Sequence, residues 1–372
     1  MSISIKIKSI FNIMYLEDKI MINSGNNMIE ISPADNDIQE LVKYLEQGIE
    51  IEELYSKSAI DKEDIDKFIQ KLNEMNYFEN EEIIDREYTK RNQTNLNFLE
   101  NYSTKYNSAI NIQKKIENKK VLLLGVGGAS ILAASLIGMG VRIITLVDYD
   151  KVEYGNLNRQ FIYTENDIGK YKVDVAQKYL LSLNKNIKVS THNMKITNYR
   201  DILGLVDEAD IVINAIDTPP VESTRWINYC CLKKGKVLFQ MGLSQKSILI
   251  ESFTYKNGCY DCGLLYQLKE NFDEASSILR YIYDDSYHSV NTSYAPNILV
   301  GTGLLLMEIF KYILDEDHYE DCNFEFEPET CTMKNINSHI RNCTCPTCGS
   351  EGKNYFSIYD LIGVAKDEHK NR

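Results

Sequence analysis

The first part of the chain alternates apolar and polar positions. SISIKIKSIF, IMYLEDKIMI and NNMIEIS run from Ser2 to Ser32, broken by the turn residues Ser24–Asn27. A period of two predicts a small antiparallel sheet. Ser32-Pro-Ala-Asp35 then opens a helix with Ile38, Leu41, Val42 and Leu45 on one face, and Gly48 closes it. Ile51–Tyr55 predicts a second helix and Asp61–Met75 a third, the latter with Ile65, Phe68, Ile69 and Leu72 at helical spacing; Tyr77-Phe78 begins a closing strand. Together these predict a small winged-helix-like domain over residues 1–80. Residues 81–118 are polar and charged and read as a linker with some helix.

From residue 119 the pattern changes. Short continuous apolar runs now alternate with helical stretches, as in a parallel α/β sheet. Val121–Leu124, Arg142–Val147, Ile187–Asn193, Asp210–Asn214 and Lys236–Gln240 read as strands, and Ser247–Thr254 as a strand of an antiparallel extension. Ala129–Met139, Lys172–Leu183, Thr224–Cys231 and Ile298–Leu314 read as helices, and Leu268–Ser293 as a long acidic, Tyr-rich connection. The expected fold class is α/β over 119–372, a Rossmann-like, mostly parallel sheet with helices on both faces.

Within that domain Gly125, Gly127 and Gly128 follow the first strand, and Asp148 closes the second. Strand, glycine turn, helix, strand and acid make the dinucleotide-binding outline, in which the turn lets backbone approach a phosphate and the acid meets a ribose. The free N–H groups of the helix start favour an anion. Ser130 stands at the third glycine position and is small enough for close packing. The outline alone separates neither NAD from ATP nor a ligand site from a structural turn.

Composition narrows the partners. A net charge of −13 argues against a general nucleic-acid or membrane-surface binder. The acids Glu40, Glu46, Glu50, Glu52, Glu53, Asp61, Glu63 and Asp64 argue against a DNA-reading N-terminal domain. A peptide clamp, in which an extended peptide adds a strand to a sheet edge, fits better than a purely structural cap. No apolar stretch is expected to span a membrane, and the N-terminus lacks the order of a signal peptide. The expected compartment is the cytoplasm.

Nine cysteines in such a chain point to metal or catalysis rather than to disulfides. Cys259-Tyr-Asp-Cys262 and Cys345-Pro-Thr-Cys348 are two C-x-x-C knuckles, which together can complete a closed, structural zinc site. Cys343 is close enough in sequence to compete. The alternative is free thiols or a redox pair.

Arg159 and Lys172 could clamp the oxygens of a triphosphate. Asp217 follows an apolar strand at its C-terminal end, where α/β sheets bind ligands, and could hold magnesium together with phosphates.

These motifs carry a resemblance. GVGG, VDYDKVEYGNLNRQ, GKYKVDVA, NAIDT and the CYDC and CPTC knuckles make residues from about Arg91 to the second knuckle similar to the ThiF/MoeB family of adenylating enzymes, relatives of ubiquitin-activating enzymes. The resemblance implies that Gly127 and Gly128 line the nucleotide phosphates, that Asp148 binds the ribose, and that Asn156, Arg159, Gln160 and Lys172 contact the triphosphate of ATP. It implies magnesium on Asp217, zinc on the four knuckle cysteines, and a homodimer in which Arg91 reaches the partner's active site. The implied reaction is attack of a peptide carboxylate or amide oxygen on the α-phosphorus, with release of pyrophosphate.

Two features separate the branches. Residues 263–321 contain no cysteine, so a thioester or acyl-disulfide step is not expected. The N-terminal extension resembles the peptide clamp of MccB-type enzymes, which adenylylate a ribosomally made peptide. The leading expectation is therefore a peptide-modifying adenylyltransferase that grips a short precursor peptide with its N-terminal domain. The alternatives are a sulfur-carrier adenylyltransferase for thiamin or molybdopterin synthesis, and an inactive fold that presents a peptide to a separate cyclodehydratase.

Overall fold

A computed structural model describes residues 4–23, 28–79, 86–104, 106–244, 246–283, 293–336, 340–349 and 354–370. The chain divides into two compact units, Met1–Lys115 and Ile116–Arg372.

In the first unit, β1 (Ser4–Ile5) pairs antiparallel with β5 (Ile49–Glu50), and β2 (Asn12–Tyr15), β3 (Ile20–Asn23) and β4 (Met28–Ile31) form an antiparallel sheet in that order. Three amphipathic helices follow, α1 (Asn36–Gln47), α2 (Ile51–Lys57) and α3 (Lys62–Glu74). Asp35 caps α1 by accepting from the Ile38 N–H at 3.0 Å, and Gly48 ends the helix at φ +86°. The alternating residues do what their period requires: Ile20 and Ile22 are fully buried with Val42, Leu45, Leu54 and Ile65. The expected closing strand at Tyr77-Phe78 is an isolated bridge between Ile7 and Phe78. The stretch read as a linker is more helical than its composition suggests, with α4 at Arg86–Leu99 and α5 at Ala109–Asn118. The turn residues Ser24–Asn27, and Asn80–Asp85, lie outside the described residues.

The second unit is one eight-stranded sheet. Its strands are β6 (Lys120–Leu124), β7 (Ile143–Val147), β8 (Lys188–His192), β9 (Ile211–Asn214), β10 (Val237–Leu243), β11 (Ile248–Phe253), β12 (Asn323–Glu327) and β13 (Thr332–Asn335). The order is β13-β12-β11-β10-β9-β6-β7-β8. The neighbours from β8 to β10 are parallel, and those from β10 to β13 antiparallel. The continuous apolar runs are buried, as in a sheet covered by helices. The helices are α6 (Ser130–Met139), α7 (Lys172–Leu183), α8 (Leu203–Glu208), α9 (Glu222–Lys234), α10 (Tyr260–Glu270), α11 (Phe272–Tyr283), α12 (Ala295–Leu314), α13 (Pro346–Gly349) and α14 (Ile358–Lys370). Chain order runs outward from β6 through β7 to β8 on one side, and from β9 to β10 on the other. The β6/β9 boundary is therefore the topological switch point, where such sheets open a ligand crevice.

Two expectations are corrected. Most of the segment read as a long connection is helical. Phe272, Ala275, Leu279 and Ile282 recur along α11 at helical intervals, and the acids Asp273 and Glu274 sit in its first turn, where the helix dipole favours them; residues 284–292 lie outside the described residues. Second, α12 is long and apolar enough to cross a membrane by length and composition, at 20 residues and a mean hydropathy of 1.5. It packs on β10 and β11 as a core helix and buries Glu308.

Candidate active site

The glycine turn lies at the switch point. Gly125 has φ +93°, and a Cβ there would sit 2.5 Å from the Ala215 carbonyl oxygen after β9, so only glycine fits. A Cβ on Gly127 would meet Gln160 Nε2 at 3.2 Å and Lys172 Nζ at 3.7 Å. That places two polar side chains from distant parts of the sequence over the same turn.

The turn opens into a cavity of about 970 Å³. Gly125, Gly127, Gly128, Asp148, Asn156, Arg159, Gln160, Lys172 and Asp217 all line it. Residues separated by up to 92 positions in sequence thus converge on one crevice. Arg91 is exposed on α4 of the first unit.

Asp148 is held by two backbone donors, the Val126 N–H at 2.7 Å and the Asp150 N–H at 2.8 Å. Burial nonetheless raises its pKa above the ordinary carboxylate value, against the opposing pull of those N–H groups and of Lys172. Lys172 is buried and its Nζ lies 2.8 Å from Asp150 Oδ2, a pairing that sequence reasoning missed. Arg159 Nη1 donates to the Gly155 carbonyl at 2.7 Å and to Asn158 Oδ1 at 2.9 Å. Asn156 Oδ1 accepts from the Glu153 N–H at 2.9 Å, which fixes the short turn that carries Arg159 and Gln160. Gln160 Oε1 is buried without a hydrogen-bond partner. An orphaned acceptor is costly unless something fills the space beside it. Asp217 is exposed at the rim and accepts from its neighbour Thr218 Oγ1 at 3.2 Å.

These groups suit a nucleotide triphosphate: a close-approach glycine turn, a ribose-type acid, two cations and an orphan amide. A magnesium ion would find Asp217 at the same rim, with phosphate oxygens completing its shell.

The four knuckle cysteines come together. Sγ of Cys259 lies 3.8 Å from that of Cys262 and 3.7 Å from that of Cys345, and Cys262 and Cys348 are 3.4 Å apart. A zinc ion with Zn–S arms of about 2.3 Å needs sulfur–sulfur edges of about 3.8 Å. All four sulfurs lie within 4.8 Å of one another and all four residues are buried, so the set fits a closed tetrahedral zinc site. Cys343 is exposed and outside the set.

What anchors this clip carries no sequence motif. Arg225 on α9 is fully buried, with Nε 2.9 Å from Asp261 Oδ1 and Nη1 3.1 Å from Glu222 Oε2. Nη2 also donates to the Phe356 carbonyl at 2.8 Å. Burial opposes the charge, but Asp261 and Glu222 outweigh it and hold the guanidinium above its ordinary pKa. Asp261 lies between the two cysteines of the first knuckle, and Tyr355, near the C-terminus, hydrogen-bonds Glu222. One arginine thus joins α9, a knuckle and the C-terminal tail.

A family model described as "ThiF family" matches residues 94–347. A second, described as "B-block binding subunit of TFIIIC", matches residues 38–105. Among curated relatives, an adenylyltransferase and sulfurtransferase MOCS3 of Culex quinquefasciatus is 36% identical over 152 residues, 40% of this chain and 34% of that protein. A ubiquitin-like modifier-activating enzyme 5 of Caenorhabditis briggsae is 27% identical over 251 residues, 62% of this chain and 55% of that protein. The chain therefore spans from about a third to about half the length of these relatives. Among solved structures, E. coli MccB with ATP superposes with a TM-score of 0.72 at 21% identity, covering 93% of this chain and 100% of that one. PaaA superposes with a TM-score of 0.69 at 18% identity, over 89% and 99%. These likenesses establish the shared fold, and with the family match over more than half of its length, the chain belongs to the ThiF family.

Proposed function

We propose that this chain is a cytoplasmic, ATP-dependent adenylyltransferase that acts on a ribosomally made precursor peptide. The observation that carries the reading is the convergence of Gly125, Gly127, Asp148, Arg159, Gln160, Lys172 and Asp217 on one cavity at the switch point. Asp148 accepts from the ribose hydroxyls. Lys172 and Arg159 neutralise the triphosphate, and their hold tightens as charge builds on the departing pyrophosphate. Asp217 would hold magnesium, which when bound would supply a Lewis acid to offset charge on the phosphates. An oxygen of the peptide forms the new bond to the α-phosphorus, the bond from that phosphorus to the bridging oxygen breaks, and pyrophosphate leaves. Zinc on Cys259, Cys262, Cys345 and Cys348 is structural, since four protein thiolates leave no position for water.

The first unit is the peptide clamp in this reading. Among the described residues β2 and β4 each pair on one side only, which suits addition of an extended peptide strand. The enzyme works as a homodimer, with Arg91 reaching the partner's site. A sulfur-carrier adenylyltransferase remains the second reading. Its support is the likeness to MOCS3 and to the modifier-activating enzyme, and the absence of a cysteine from residues 263–321 weighs against its thioester form.

The discriminating experiment measures pyrophosphate release from ATP with two acceptors. One is a short synthetic precursor-type peptide, and the other a ubiquitin-like carrier ending in Gly-Gly. Turnover with the peptide supports the reading; turnover with the carrier alone replaces it.

A further inference from the structure

The cavity has two sides, which meet at β9. Gly125, Asp148 and Lys172 belong to the β6, β7 and α7 side. Across β9 the walls come from the β10–β11 hairpin and from α10 and α11. Among the described residues that second side is mostly apolar: Leu243 and Leu249 from the hairpin, Leu264 from α10, and Ile278, Leu279 and Ile282 from α11. Ile278 and Ile282 are one helical turn apart and so share a face of α11. Leu264 and Leu279 are buried, whereas Ile278 is 50% exposed.

Strand register sets the floor of this side. Asn214 on β9 pairs with Leu124, the residue before the glycine turn, and with Gln240 on β10. Gly242 comes two residues after Gln240, on the same face of β10, and pairs with Leu249 on β11. Because β10 stands two strands from β6, Gly242 lies about 10 Å from the glycine turn. Gly242 is exposed and lines the cavity, and a Cβ there would make only ordinary contact, with Leu249 Cβ at 3.5 Å. The space over it is therefore not needed by the fold. The whole cavity, at about 970 Å³, stands at the top of the range that one drug-sized ligand fills, so a nucleotide on the glycine turn leaves room at this end.

We propose that this apolar end receives an apolar side chain of the acceptor peptide, carried one to three residues before the reacting residue. The inference rests on the adenylylation reading. The occupant is part of the acceptor because its walls continue those of the nucleotide crevice. The reach follows from chain geometry: an extended peptide advances about 3.3 Å per residue, so about three residues cover the 10 Å between the glycine turn and Gly242. The chemistry follows from the walls. A hydroxyl or charged side chain would lose its water among Leu249, Leu264, Leu279 and Ile282 and gain no hydrogen-bond partner from them. A leucine or isoleucine would bury its surface over Gly242, against Leu249 and the half-exposed Ile278.

The test uses four acetylated tetrapeptides ending in asparagine, whose carboxylate and carboxamide offer either kind of oxygen nucleophile. Three carry leucine at one of the first three positions and serine at the other two; the fourth carries serine at all three. Ligand-observed NMR gives their affinities for the zinc-loaded full chain with a non-hydrolysable ATP analogue and magnesium. At one position leucine is expected to bind about ten- to a hundredfold more tightly than serine, the scale of burying one such side chain. Gly242→Val, which fills the space over the floor, is expected to bring that peptide to within about threefold of the all-serine one while nucleotide affinity stays unchanged. Should Gly242→Val fold poorly, Ile278→Asp serves instead, since it puts a charge on the same wall at a half-exposed position. An advantage for leucine at no position, one that survives in a folded variant, or a wild type that binds the nucleotide and none of the peptides overturns the proposal. A wild type that binds no nucleotide overturns the adenylylation reading itself.

Discussion

Lys172 Nζ sits 2.8 Å from Asp150 Oδ2, a buried ammonium held by a half-exposed carboxylate at the phosphate end of the cavity. The pair stores the cation that a triphosphate would otherwise meet unpaired. Lys172→Ala is expected to lower peptide-dependent pyrophosphate exchange by about a hundred- to a thousandfold, the scale for removing one preorganised charge stabiliser. Asp150→Asn leaves the ammonium buried without its partner. Its melting temperature without ligand should fall, and ATP should raise it by more than in the wild type, because the triphosphate replaces the lost charge. Equal ATP-induced shifts in the two proteins would show that Lys172 does not exchange partners.

Gly125 is the second lever. A Cβ 2.5 Å from the Ala215 carbonyl, on a residue at φ +93°, forces β6 and β9 apart where the crevice opens. Gly125→Ala is expected to cost on the order of 2–4 kcal/mol in urea unfolding and to abolish ATP binding. Gly127→Ala meets only the movable end of Gln160 at 3.2 Å, so it should fold normally and weaken ATP by about tenfold or less. If both variants bind ATP as the wild type does, the turn is structural only.

Asp148 gives a pH signature. Its folded pKa lies above the unfolded value of 3.8 because it is buried. The ionised form therefore costs the fold some stability above the folded pKa, and that cost is relieved as pH falls through the folded pKa toward 3.8. ATP affinity runs the other way, since a protonated acid is a poorer acceptor for ribose hydroxyls. Affinity measured by calorimetry down to mildly acidic pH should fall more steeply in the wild type than in Asp148→Asn. Parallel curves for the two would remove Asp148 from the ribose site.

The zinc clip makes a compositional prediction. One zinc per chain is expected by elemental analysis, and stripping it with a strong chelator should lower the melting temperature by ten degrees or more, on the order of the folding energy such sites carry. Cys348→Ser should do the same, whereas Cys343→Ser should be silent.

Arg225 is fully buried between Asp261 and Glu222. Arg225→Ala strands two buried carboxylates and is expected to cost about 3–5 kcal/mol, with loss of bound zinc as the knuckle loosens. Arg225→Lys keeps the charge but not the fork and should fall between the two. Retained zinc and unchanged unfolding in Arg225→Ala would make the network dispensable.

The nucleotide crevice was legible in the sequence because its parts are local: GVGG follows an apolar run, Asp148 ends the next, and NLNRQ comes soon after. Periodicity likewise marked the strands of the parallel sheet and α1, α2 and α3 of the first unit. What escaped is long-range. Asp150 looks like any exposed acid until Lys172, 22 residues later, folds back onto it. Arg225 reads as a solvated charge on a helix, and only the tertiary fold brings Asp261 and Phe356 to it. Gln240 and Glu251 did leave a trace, as polar letters inside the apolar runs VLFQM and ILIESF, but their pairing, with Gln240 Nε2 donating to Glu251 Oε2 at 2.6 Å, depends on strand register. The α11 helix was missed because its polar residues masked an apolar stripe that was present all along.

The most direct measurement is a crystal structure of the zinc-loaded chain with magnesium and an α,β-methylene ATP analogue. The triphosphate should lie over Gly127, the ribose on Asp148, and Lys172 Nζ should have left Asp150 for a phosphate oxygen at about 2.8 Å, with Arg159 turned from Gly155 toward the same group. A nucleotide bound elsewhere, or a filled crevice in which Lys172 still grips Asp150 and Arg159 still grips Gly155, would contradict the account.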